Sequence, residues 1–210
     1  MDTLQIVGRQ SSHFTRLARI FAAELEVPYQ LVPVYDMKAM DVEVFGGNPA
    51  MKIPVLRSER SILIGAENIC RALAERATAR KRIVWPEQLT GDLARNAQEL
   101  VWHCMAAQVQ LILGTALYKL PAENPFFVKT RAGFEGALGW LDTNLGAVLA
   151  QLPPRDLSLF EASLHCLVEH MQFRPTLTVD PFSALVSFAK GFALRPSAQA
   201  TVYRFDVRPT

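Results

Sequence analysis

The segment Asn48-Pro-Ala-Met-Lys-Ile-Pro-Val-Leu56, followed by Ser61-Ile-Leu-Ile-Gly65 and Ala66–Glu75, constrains the fold more than any other part of the chain. It reads as a loop, a short strand containing a proline, a second strand and a helix. A proline in a strand removes a ladder donor, so Pro54 has to sit where no hydrogen bond is needed. An X-Pro bond adopts cis at small cost, which turns the carbonyl and N–H of the preceding residue outward. Ile53 is then a backbone hydrogen-bonding platform at a sheet edge, suited to an extended, peptide-like ligand.

The residues before this segment supply the rest of a sheet. Leu4–Gly8 is a short apolar strand, and Arg9–Ser12 is a polar turn. Phe14, Ala18, Phe21, Ala22 and Leu25 recur at offsets of 4, 7, 8 and 11, an apolar stripe along one helix. Pro28 stops that helix, residues 29–34 form a second strand, and residues 36–46 form a short irregular helix. Residues 53–57 and 61–64 make an antiparallel pair, and residues 67–79 another helix. The order βαβ then ββα predicts a mixed four-stranded sheet covered by helices.

Beyond residue 88 the pattern is helical throughout, with helices expected over 89–119, 125–151, 158–173 and 181–194, separated by proline-bearing breaks. Ser158-Leu-Phe-Glu161 reads as a capping box, and Asp180-Pro181 as an N-cap followed by proline at the first helical position. The expected architecture is an α/β domain over residues 1–79, a linker over 80–88 and an all-α helical bundle over 89–210. The basic run Arg76–Arg82 is explained by favourable cations at a helix C-terminus.

Composition narrows the function classes. With 22 basic and 20 acidic residues the net charge is +2, too little to imply nucleic acid or an anionic membrane as partner. No uninterrupted apolar run approaches the roughly 20 residues that span a bilayer. Met1–Gly8 runs into a strand without a basic n-region or cleavage site, and the three cysteines, Cys70, Cys104 and Cys166, are odd in number and far apart. The expectation is a cytoplasmic protein with buried thiols.

Four segments in this order resemble the glutathione S-transferase superfamily over nearly the whole chain. They are Ser11–Arg19 at the first strand–turn–helix, Asn48–Leu56, the Ser158–Glu161 capping box and Arg195–Thr201. The resemblance implies a thioredoxin-like first domain with a cis-proline at Pro54, a helical second domain, and a homodimer. It also implies glutathione as co-substrate, added as its thiolate to a small hydrophobic electrophile, with the helical domain supplying the electrophile pocket. No metal is implied.

The resemblance carries particular roles to particular residues. Ser12, or its neighbour Ser11, would donate a hydrogen bond to the thiolate beside a helix N-terminus, raising the population of the nucleophile; equally, Ser12 would serve as a plain helix cap. His13 stands where serine-type members have proline. Residues 1–69 contain no cysteine, which argues against a Cys-x-x-Cys mechanism and against the cysteine-type classes. Ile53 would align the cysteinyl part of glutathione through its backbone, next to Pro54. Lys52 would meet the glycyl carboxylate or simply be a solvated lysine.

At the start of the following helix the family presents Glu-Ser or Gln-Ser, and this chain has Gly65-Ala66. Glu67 would reach the ligand's amine or act as a first-turn acid. That departure keeps a second reading open: a non-catalytic binding or regulatory protein on the same fold. A third is a carrier of apolar ligands. His103, Cys104, His165, Cys166 and His170 lack zinc-binding spacing. Trp102, Met105, Tyr118, Phe126 and Phe127 are pocket or core.

Overall fold

In the computed structural model, which describes residues 4–208, β1 (Gln5–Gly8) leads through a four-residue turn into α1 (His13–Glu24). Residues 1–3 and 209–210, the outer ends of the two expected domains, lie outside the described residues. The α1 face that faces inward comprises Leu17, Ala18, Ile20, Phe21 and Ala22, all essentially without solvent exposure. Phe14, at the first turn, is only partly covered.

β2 (Gln30–Pro33) returns parallel to β1, as a right-twisted βαβ unit requires. A 3₁₀ turn, Val42–Phe45, occupies the segment expected to be irregular helix. β3 (Val55–Arg57) and β4 (Ile62–Ile64) follow as an antiparallel pair, then α2 (Ala66–Arg76). The strands lie in the order β2-β1-β3-β4. This is a thioredoxin-like domain with a mixed four-stranded sheet, and a helical region follows it. Val7, Val34, Phe45 and Val55 form a core cluster on the sheet, with Met51 and Ile53 packed against it. α1 and α2 pack together.

The helical region contains α3 (Asp92–Leu111), which continues as a π-type turn over Ile112–Leu117, then α4 (Pro125–Gln151), α5 (Leu159–Phe173) and α6 (Ser183–Phe192). α3 with its continuation is long and apolar enough to match a membrane span by those two measures alone. It is one face of a bundle: Ala97, Val101, Cys104, Met105 and Leu111 are buried where it packs on α4 and α5.

Two helix starts differ from expectation. At α5 the Ser158 hydroxyl accepts from the Glu161 amide at 3.0 Å. The reciprocal arm of the box is absent, because the Glu161 carboxylate takes two guanidinium contacts from Arg155 and lies 2.8 Å from the Ser158 hydroxyl. At α6 Asp180 is not the cap. The helix starts after Phe182, whose side chain caps nothing, and the Asp142 carboxylate of α4 accepts from the Leu185 amide at 3.0 Å. An acid from a neighbouring helix does the work expected of the local one.

Close packing divides the chain into residues 1–81 with 194–210, and residues 82–193. The segment expected to be a linker holds β5 (Ile83–Val84), paired in parallel with β6 (Leu157–Ser158), and a 3₁₀ turn over Pro86–Gln88. Arg82 pins this pairing through its backbone and guanidinium to Asp156. After α6, α7 (Pro196–Ala200) and the tail to Arg208 pack with the first unit, whereas the sequence pattern assigned them to the helical one. Glu24 at the end of α1 ties α7 to this unit, binding Arg195 at 2.7 Å and the Ser197 hydroxyl at 2.6 Å, and it also binds Lys81 at 2.8 Å.

Candidate functional site

Strand register brings three segments to one end of the sheet. Val7 is opposite Val55, and Val55 is opposite Ile64. The turn after β1 (Arg9–Ser12), the residues before β3 (Ile53 and Pro54) and those after β4 (Gly65 and Ala66) therefore leave the sheet side by side. Ser11, Ser12, Ile53, Pro54 and Glu67 belong to this end, with Lys52 one residue further out and exposed.

The turn after β1 is set by a close approach. A Cβ on Gly8 would lie 2.5 Å from the Thr15 hydroxyl oxygen, so glycine is needed for α1 to start where it does. Thr15 also accepts from the Arg9 amide at 3.3 Å. Ser12 is the N-cap: extended at φ −105 and ψ 127, it accepts from the Thr15 amide at 3.2 Å. That bond uses a lone pair and leaves the hydroxyl proton available to donate. Ser11 is buried, while Ser12 is partly exposed. His13, in the position of the expected proline, is buried and meets Phe14 edge-on at 4.7 Å.

The Ile53–Pro54 bond is cis. Asn48, buried within the preceding loop, donates from its amide to the Lys52 carbonyl at 2.7 Å and accepts from the Ala50 amide at 3.0 Å. Ile53 turns its side chain toward the Val7–Val55 cluster. Its own N–H and carbonyl make no hydrogen bond among the described residues. A half-buried residue normally satisfies both groups, so this pair is a vacant strand-like edge.

At the start of α2, Gly65 has φ +94, a conformation that side-chain-bearing residues rarely adopt. It provides no side-chain cap, and the first helical bond runs from the Ile69 amide to the Gly65 carbonyl. The Ala66, Glu67 and Asn68 amides have no acceptor within the helix, the usual condition of a helix N-terminus. Glu67 binds the Arg71 guanidinium at 2.8 and 3.0 Å, one turn on, which commits its carboxylate within the helix.

The other candidates separate cleanly. Met105 and Phe127 are core, whereas Tyr118 and Phe126 are exposed and Trp102 is partly covered. All three cysteines are buried, and none of them forms a disulfide. Burial pushes the Cys104 thiol up to about 12, so it stays protonated at neutral pH. His165 stacks on Phe192 at 4.6 Å. Among the described residues no group of three or more His, Cys, Asp or Glu is assembled.

Residues 11–76 match the family model of the glutathione S-transferase N-terminal domain. No curated protein matches the chain. Solved structures show the same fold at low identity. A glutathione S-transferase of Methylobacterium radiotolerans in complex with glutathione sulfonate is 20% identical, with 99% of each chain covered and a TM-score of 0.75. A glutathione transferase family member of Pseudomonas fluorescens with bound glutathione is 19% identical, covering 96% of this chain and all of that one at a TM-score of 0.78. A glutathione S-transferase of Methylobacillus flagellatus with glutathione bound is 18% identical, with 96% of this chain covered, 100% of that one and a TM-score of 0.74.

Proposed function

We propose that this chain is a glutathione S-transferase that binds glutathione at the sheet end formed by Ser11–Ser12, Ile53–Pro54 and the start of α2, and adds its thiolate to a small hydrophobic electrophile. The observation that carries the reading is the vacant Ile53 backbone pair beside a partly exposed Ser12 hydroxyl. A tripeptide laid antiparallel to Ile53 satisfies both groups by strand addition. Its sulfur then comes to the N-terminus of α1, where the Ser12 hydroxyl donates a hydrogen bond and the helix dipole favours the anion. The thiol proton leaves to solvent, the sulfur lone pair forms the new S–C bond as the π bond of an activated alkene breaks, and the displaced electron pair takes a proton from solvent. Rate enhancement comes from the thiolate population and from proximity. Lys52 is the proposed partner of the glycyl carboxylate. The Ala66–Asn68 amides are the proposed seat of the γ-glutamyl carboxylate.

A second reading, a non-catalytic binding or regulatory protein, is favoured by a specific observation. Neither Gly65 nor Ala66 offers a side-chain hydrogen bond, and Glu67 is already engaged by Arg71. Calorimetry with glutathione on the wild type and on the Ser11→Ala/Ser12→Ala double variant separates the two. Wild-type binding in the micromolar-to-millimolar range, with turnover of an electrophile panel lost in the variant, supports the transferase. Silence at millimolar glutathione across several temperatures supports the second reading.

We further propose a cytoplasmic homodimer. Three buried thiols that form no disulfide suit a reducing compartment, and Ile62 and Ile64 of the edge strand β4 are exposed apolar side chains of the kind that a partner covers. Sedimentation equilibrium is expected to give twice the 23.4 kDa chain mass; a monomer at micromolar concentration would refute it.

A further inference from the structure

The tail beyond α7 has no regular secondary structure, and it leaves Val202, Phe205 and Val207 largely exposed. Apolar burial alone therefore does not explain its path. Polar and cationic contacts mark that path along α1. Glu24 at the C-terminal end of α1 holds Arg195 and Ser197. Midway, the buried Arg16 guanidinium donates to the Ala198 carbonyl at 3.2 Å and lies 4.3 Å over the Tyr203 ring. At the N-terminal end, Asp206 reaches the turn after β1. Its carboxylate accepts from the Gln10 amide at 3.0 and 3.4 Å and from the Gln10 side chain at 3.3 Å, with Arg9 Nε at 3.9 Å. Arg208 then lies 5.5 Å from the Tyr35 ring, just past β2.

The Asp206 side chain is 1% exposed. A carboxylate is taken out of water at this cost only where charge-assisted hydrogen bonds replace its hydration. Here the replacement comes from the turn that carries Ser11 and Ser12. We propose that Asp206 is a positioning residue: through Gln10 it holds the turn in the conformation that presents Ser12 and its neighbours to glutathione, and residues 202–208 are a strap that carries it there. Asp206 acts through the turn and does not touch the reacting atoms. The proposal rests on the glutathione reading for its ligand, while the strap itself is tested without one.

The experiment compares the full-length wild type with Asp206→Ala and Asp206→Asn, first by amide hydrogen exchange and then by glutathione calorimetry. In Asp206→Ala, exchange at Gln10–Ser12 is expected to rise at least about tenfold, with α5 amides unchanged as the control for folding. Glutathione affinity is expected to fall about fivefold or more. Asp206→Asn keeps one acceptor for the Gln10 amide and should fall between the two. Unchanged exchange at Gln10–Ser12 overturns the strap whatever glutathione does. Faster exchange with wild-type affinity overturns the positioning role. A wild type that binds no glutathione overturns the glutathione reading and the positioning role with it, leaving the exchange arm to decide the strap alone.

Discussion

Ser12 has two separable jobs, and the choice of substitution separates them. Ser12→Ala removes the α1 cap and should lower stability by about 1 kcal/mol in denaturant unfolding. Ser12→Asp keeps a capping acceptor but, ionised, has no proton to donate to a thiolate. Stability near wild type with turnover abolished is the expected result; retained turnover would leave Ser12 as a cap only. Glu24 is the other residue with a measurable signature. Burial raises the pKa of its carboxyl, but the hydrogen bonds from Arg195, Lys81 and Ser197 outweigh this and bring it down to about 2 from 4.5. The folded pKa is the lower one, so the contribution is complete above about pH 4.5 and is lost as pH falls toward 2. Unfolding free energy measured between pH 6 and pH 2 should show an acid-labile component on the order of 3 kcal/mol that Glu24→Gln lacks. A variant with the wild-type acid profile would remove Glu24 from that role. The chain shows Glu24 only as one acid at the end of an amphipathic helix. Its partners are as far as 173 residues away, so nothing local marks it.

Among the elements, the helices were legible where a local pattern sets both ends. α4 runs over the expected residues 125–151, bounded by Asn124 as cap and the prolines after Leu152. α6 was legible in its middle only. Asp180-Pro181 has the sequence of a helix start, yet the cap comes from Asp142 on α4. Asp142→Ala should cost roughly 1 kcal/mol and speed exchange of the first-turn amides of α6, with Asp180→Ala close to neutral. The opposite ranking would restore the local cap. The start of α5 shows the same limit, since the Glu161 carboxylate turns to Arg155 and leaves half of the expected box unmade. In the sheet, short apolar runs marked by Gly8 and Pro54 located β1 and β3, but β3 starts at Val55, so Pro54 precedes the strand where the pattern put it inside. Their neighbour relation, which creates the site, is a pairing and not a local property.

At the scale of the whole molecule, the buried thiols give a direct check on the packing. Cys70, Cys104 and Cys166 are fully covered, and burial holds Cys104 as a neutral thiol. Native protein at pH 8 should resist a thiol-reactive dye, and all three should label once denaturant unfolds it; fast labelling of the native state would refute the core assignment. The amino-acid sequence by itself determined the βαβ–ββα order, the helical region after it and the Pro54 segment. These follow from periodicity, proline and glycine, which act over a few residues along the chain. Only the tertiary structure decided that Ile53 keeps its backbone unpaired and that the tail from Arg195 to Asp206 is bound along α1 to the Gln10 turn. Each of these depends on which of several available partners a charged or backbone group meets once the chain is packed. That choice is made by desolvation and geometry in three dimensions, and it leaves no period in the sequence.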